Sequence, residues 1–233
     1  ENNKMAIAGA NLPINTTEGV DKISTTDKVT TPYFSDGNTQ LAGSNIVSES
    51  LSDDNEKYYF GIAHSSTPTT SEFNIAYGHV DGNGGDDVDD TLKSPTQAIY
   101  KQWASVLLAP TEVTGGFFIS SKGSSGALSS GTKDSEIFIL TGRRSNMKDR
   151  INKKNWTITL SGSMTTGEAG SSAEASGSLP LVLTDDSAND SPTATRVGDR
   201  YNIVSGSDGT IVVPATTKTY GHFYPDLGVM VFS

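Results

Sequence analysis

The sequence predicts a mainly β protein: an antiparallel sandwich or open barrel, with one embedded α-helix (about 95–108) and an extended N-terminal arm. Three observations predict it. About ten short segments alternate apolar and polar residues, the period of a strand with one buried face. Clusters of Gly, Ser, Asn and Asp separate them and supply the turns. Only Ser94 to Pro110 carries start, stop and periodicity signals of a helix.

Taken in order, residues 1–56 come first as the arm. Ile7, Leu12, Ile14, Ile23, Tyr33, Phe34, Leu41 and Ile46 are scattered there without a period of 2 or 3.6. A chain of this kind cannot cover its own backbone, so it is either disordered or laid on a neighbour. Residues 57–233 form a single mainly β domain. In Tyr58–Ile62, Tyr58, Phe60 and Ile62 share a face, and Phe73–Tyr77 alternates cleanly. Phe117–Ile119, Glu136–Leu140, Trp156–Leu160, Leu179–Leu183, Tyr201–Val204, Ile211–Val213, Tyr220–Tyr224 and Gly228–Phe232 complete the predicted strands. The helix has Ser94 as N-cap, Gln97 at the capping-box spacing and Pro95 at the first helical position. Ile99, Trp103, Val106 and Leu107 form its apolar face, and Pro110 ends it. That face packs on a sheet of its own chain, or in part on another subunit. Two low-complexity stretches, Ser120–Thr132 and Gly162–Ser178, read as long loops at a sheet edge.

Composition narrows the function classes. The chain has 233 residues, 34% of them hydrophobic, so it is globular but rich in turns. Its net charge of −10 argues against nucleic acid or anionic membrane as partner, since a phosphate surface demands a basic footprint. The absence of cysteine removes thiolate nucleophiles and cysteine-ligated metals. No stretch is apolar enough for a membrane-crossing helix. The first residues, Glu1-Asn2-Asn3-Lys4-Met5, have no apolar core of a signal peptide.

Motifs that carry chemistry fail one by one. In the tract from Asp81 to Asp90, the residues Asp81, Asn83, Asp87 and Asp89 occupy positions one, three, seven and nine of an EF-hand spacing. Position six is Asp86 where glycine is required, and position twelve is Leu92 where a bidentate glutamate is required. Two readings stay open, a non-EF oxygen cage for calcium and a solvated acidic loop suited to the following helix N-terminus. His64, His79 and His222 have no metal-ligand spacing. Tyr77-Gly78-His79 and Tyr220-Gly221-His222 instead suggest a repeated turn idiom on neighbouring strands, with the histidine bonded to backbone. A glycan hydrolase would need paired carboxylates at a defined separation, and Asp185 and Asp186 are weak candidates for such a pair. Asn15, Asn155 and Asn189 begin glycosylation sequons, a pattern common by chance.

One cluster stands out. Arg143, Arg144, Lys148, Arg150, Lys153 and Lys154 gather in a chain that is otherwise acidic, with Asp149 alone among them. They form either a solvated turn between two strands or an interaction surface for an acidic partner. One such partner is the Asp81–Asp90 tract of an adjacent copy, and head-to-tail packing of that kind builds a ring.

The series Tyr77-Gly78-His79, Ala98 to Trp103 with Leu107-Leu108-Ala109-Pro110, Arg143-Arg144 with Lys148, Trp156–Leu160 and Leu183 to Ser187 resembles virion structural proteins of contractile-tailed, T4-like phages of the marine cyanophage type. So do Tyr33 to Asn38, Tyr201 to Gly206 and Tyr220 to Val229. These are packing motifs spread over most of the chain, with Ser120–Thr132 and Gly162–Ser178 as places of departure. The resemblance implies a non-enzymatic virion protein that bridges subunits of the contractile tail or baseplate, assembled in the host cytoplasm. It implies other virion proteins and copies of itself as partners. It implies no cofactor, no small-molecule substrate, no nucleic acid and no membrane. The alternatives are a receptor- or carbohydrate-binding module of a tail fibre and a capsid-associated structural protein. The binding module is disfavoured because Trp103 and Trp156 fall in regular elements rather than on loops.

Overall fold

The computed structural model describes residues 4–7, 10–13, 46–50, 58–84, 94–113, 116–119, 133–144, 150–160, 180–215 and 218–233, and every structural statement below concerns these. The strands are β1 (Lys4–Ile7), β2 (Ala10–Pro13), β3 (Ile46–Ser50), β4 (Tyr59–His64), β5 (Ser71–His79), β6 (Glu136–Gly142) and β7 (Ile158–Leu160). They continue with β8 (Leu181–Asp185), β9 (Thr193–Thr195), β10 (Gly198–Ser207), β11 (Thr210–Val213), β12 (Gly221–Tyr224) and β13 (Val229–Phe232). The helices are α1 (Pro95–Leu107) and the single turn α2 (Pro110–Val113). The fold is mainly β, as the alternation predicts. It takes the open-barrel form: one antiparallel sheet in the order β3-β4-β5-β6-β13-β12-β10-β8-β7, with β9 and β11 also on β10, curled into a half-barrel. β1 and β2 form a hairpin of their own.

Period-2 alternation gives this one sheet two apolar faces. Ala76 and Gly78 of β5 stand opposite Ile139 and Ile137 of β6, and Val231 of β13 lies opposite Ile139. This face receives α1, and its core contains Tyr100, Ala104, Leu107, Phe117, Ile119 and Tyr224. The opposite face carries Leu140, Met230, Phe223, Tyr201, Ile203 and Leu183. Over β12, β10 and β8 it is covered by residues 150–158, which cross the strands as a strap. The Ile151 amide donates to the Pro225 carbonyl, and the Trp156 ring meets Phe223 edge-on at 5.3 Å.

The helix lies closer to the sheet than its sequence pattern suggests, and it is turned. A Cβ on Gly78 would stand 2.9 Å from the Tyr100 backbone nitrogen, so only glycine admits the helix backbone there. The buried positions are Thr96, Tyr100, Ala104 and Leu107. Ile99 and Trp103 pack at the margin, and Val106, expected inside, is 39% exposed. Tyr100 takes the central place because its hydroxyl finds two partners: it donates to the Asp134 carbonyl and accepts from the Phe117 amide.

Other expectations also need correction. The capping box does not form. The Ser94 hydroxyl donates to the Gly82 carbonyl and Gln97 Nε2 to the Val80 carbonyl, so both side chains latch the preceding loop instead. Phe117–Ile119 is not a strand. Its amides are drawn to Tyr100 and to the Asp134 carboxylate, which hold it as buried irregular chain. Trp156 precedes β7 rather than lying in it, although its ring is packed. The last stretch of the arm, Ile46–Ser50, pairs with β4 and so belongs to the sheet of its own chain.

If the Gly78 contact fixes α1 on the sheet, Gly78→Ala will lower unfolding free energy by about 1–3 kcal/mol, the usual cost of overpacking. Urea unfolding followed by tryptophan fluorescence measures it, and unchanged stability would mean that the helix rides higher.

Candidate functional site

The acidic tract is a structural latch in the part that is described. The Asp81 amide donates to His79 Nδ1, the Asn83 carbonyl accepts from Thr96 Oγ1, and Gly82 and Gly84 take positive φ. A Cβ on Gly82 would meet Ser94, and one on Gly84 would meet the Tyr77 ring. The loop therefore wraps the start of α1 and the end of β5. Asp87 and Asp89 lie outside the described residues. Among the described residues no group of three or more His, Cys, Asp or Glu is arranged to hold a metal ion.

The histidine idiom resolves into two unrelated sites. β5 and β12 are separated by β6 and β13, so the two tripeptides are not on neighbouring strands. His79 is bonded to backbone as expected. His222 is buried, and Gly221 is required because a Cβ there would meet the Val231 carbonyl at 2.4 Å. His64 Nδ1 accepts the Ser66 amide at the β4–β5 turn.

Asp185 and Asp186 are anchors. Both are buried. Asp185 accepts from the Lys154 amide and from the Ser187 amide and hydroxyl. Asp186 accepts from the Asn202 amide at 2.9 Å and from Asn202 Nδ2 at 2.6 Å. Their oxygens are occupied in holding the strap and the turn after β8, so they offer no pair of carboxylates to a substrate.

The basic segment splits into two groups. Arg143 and Arg144 follow β6 directly, and Arg150 opens the strap. Arg144 and Arg150 meet at the β12–β13 turn, where Arg144 Nη1 donates to the Asp226 carbonyl and Arg150 stands 3.5 Å from the Asp226 carboxylate, while the Arg143 amide donates to the Glu72 carbonyl of β5. All three side chains are exposed, so one pair of this kind contributes little stability. Lys153 lies further along, with its ammonium on the Tyr201 hydroxyl at 2.9 Å and 4.9 Å from that ring's centre. Lys154 takes positive φ beside Gly209. Lys148 lies outside the described residues. Part of the predicted interaction surface is thus spent on fastening the strap, while Arg143, Arg144 and Arg150 leave positive charge facing solvent at one end of β6.

Sequence reasoning missed the sheet's unequal covering. On the face away from α1, the strap-side core reaches Met230 of β13 and Leu140 of β6, and the half-buried Phe60, Ile62, Phe73, Ile75 and Tyr77 with the exposed Phe138 continue the apolar surface across β4, β5 and β6. Phe138 is 45% exposed, its ring 5.1 Å from that of Tyr77. The signal was present as clean alternation, which identifies one side of a strand as apolar but not what covers it.

Burial pushes the Asp186 carboxyl above the ordinary carboxylate value. The Asn202 hydrogen bonds oppose this, and the charges of Asp190 and Asp185 add to it. A carboxyl raised in the fold supports stability below its unfolded pKa, ~3.9 for aspartate, and that support is lost as pH rises through the native value. Measured against Asp186→Asn, the wild-type protein is therefore expected to lose relative stability on going from pH ~4 upward and then level off. Paired urea titrations at each pH test this, and a flat difference would contradict it. No protein-family model, curated protein or solved structure matches this chain.

Proposed function

We propose that this chain is a non-enzymatic virion structural protein whose task is to bridge neighbouring subunits in a contractile tail or baseplate. The observation that carries the reading is an open sheet. β3 and β7 end it, and among the described residues neither has a further strand on its outer side. Both expose apolar side chains: Ile46 and Val47 on β3, Leu160 on β7. Unpaired edges with apolar residues are templates for another chain, and a protein that keeps them has a partner for them. The resemblance of the packing motifs to contractile-tail virion proteins supplies the kind of assembly. The described carboxylates and histidines that a catalyst would use are engaged in holding turns and loops.

Electron microscopy of intact particles carrying a tagged copy of the chain tests the proposal. Density at the baseplate or tail is the expected result. Density at the tips of the fibres would replace it with the receptor-binding reading. Hydrolysis of envelope polysaccharide by the purified protein, lost in Asp185→Asn, would replace it with an enzyme.

A further inference from the structure

An Asn-Gly pair occurs once in the sequence, at Asn83-Gly84. Asparagine before glycine is open to cyclisation, because glycine puts no side chain in the way of its own amide nitrogen. The turn imposes glycine here: its φ is 79°, and a Cβ would meet the Tyr77 ring at 2.5 Å. Among the described residues, two other turns place an acidic residue before glycine, Asp81-Gly82 and Asp208-Gly209. In both, the glycine amide is engaged. That of Gly82 donates to the His79 carbonyl at 3.1 Å, and that of Gly209 donates to Thr184 Oγ1 at 2.9 Å. The Gly84 amide donates to no acceptor among the described residues. Asn83 and Gly84 are both exposed, and the Asn83 carbonyl is held by the Thr96 hydroxyl at 2.9 Å.

We propose that Asn83 is a site of spontaneous deamidation in the folded protein, with water as the co-reactant. The Gly84 amide nitrogen bonds to Asn83 Cγ, the Cγ–Nδ2 bond breaks, and the proton given up by the Gly84 amide leaves with ammonia. Water then opens the succinimide at either carbonyl. Opening at the side-chain carbonyl gives aspartate. Opening at the main-chain carbonyl gives isoaspartate, whose main chain runs through Cγ and leaves the former carbonyl carbon as a free carboxylate. Either product adds one negative charge. In the isoaspartyl form the charge sits on the carbon whose oxygen takes the Thr96 hydroxyl, at the first turn of α1, where a carboxylate suits the helix dipole. The lengthened main chain also shifts Gly84 from its place on the Tyr77 ring. The latch before α1 therefore changes with the age of the molecule. Magnitude separates this from damage to unfolded chains. If only unfolded protein reacted, folding would slow the reaction by the folded-to-unfolded ratio, ~10³-fold or more. An exposed turn with a disengaged amide escapes that protection.

The test incubates full-length protein at mildly alkaline pH, folded and in denaturing urea, and maps the tryptic peptide of residues 58–93 by mass spectrometry with fragmentation that tells isoaspartate from aspartate. The folded chain is expected to exchange the Asn83 amide for a carboxyl, with isoaspartate among the products, at a rate within about tenfold of the unfolded one. Asn74, Asn155, Asn189 and Asn202 should stay intact over the same time. Asn83→Gln, whose side chain would have to close a larger ring, should lose the acidic form that ion exchange resolves from aged wild type. A folded rate more than about tenfold below the unfolded one, aspartate without isoaspartate, or an acidic form undiminished in Asn83→Gln would each overturn the proposal. None of these outcomes bears on the virion role.

Discussion

The close approach of α1 to β5 at Gly78 is the constraint on which the rest of this structure depends. A helix normally stands off a sheet because side chains lie between them. Here the backbone of Tyr100 rests on a glycine, and the phenol reaches past β5 to collect the Asp134 carbonyl and the Phe117 amide. Asp134 in turn uses its carboxylate for the Ile119 amide and the Ser233 hydroxyl, which ties the end of the chain into the same knot. One aromatic hydroxyl thereby satisfies an irregular buried segment that has no ladder of its own.

That economy has a consequence for covering. Among the described residues, the 13-residue helix packs on one face of the eleven-stranded sheet and the strap on the other. Over β12, β10 and β8 the strap is fixed by polar anchors, chiefly the Asp185 carboxylate on the Lys154 amide and the Thr184 hydroxyl on the Trp156 carbonyl. Over β5 and β6 the helix packs on one side, and the other side carries the apolar row of Phe60, Ile75 and Leu140. The buried carboxylates that might be read as chemistry hold this design together, Asp185 at the strap and Asp186 at the turn after β8.

How much of this was legible depended on the range of the interaction. Alternation located β4, β5, β6, β10, β12 and β13 because it reports a local fact, that one side of a strand is apolar. Helix α1 was legible from Pro95 and Pro110 for the same reason. Its rotation was not, because the choice of Tyr100 over Val106 for the interior was made by Gly78, Phe117 and Asp134, all distant in sequence. The capping box failed for a similar cause: Ser94 and Gln97 had better partners in the loop they latch. Phe117–Ile119 has strand composition, but its amides are claimed by side chains, and a segment so claimed cannot also join a ladder. The basic cluster was visible as composition, and only the β12–β13 turn shows which of its members are spent and which face solvent.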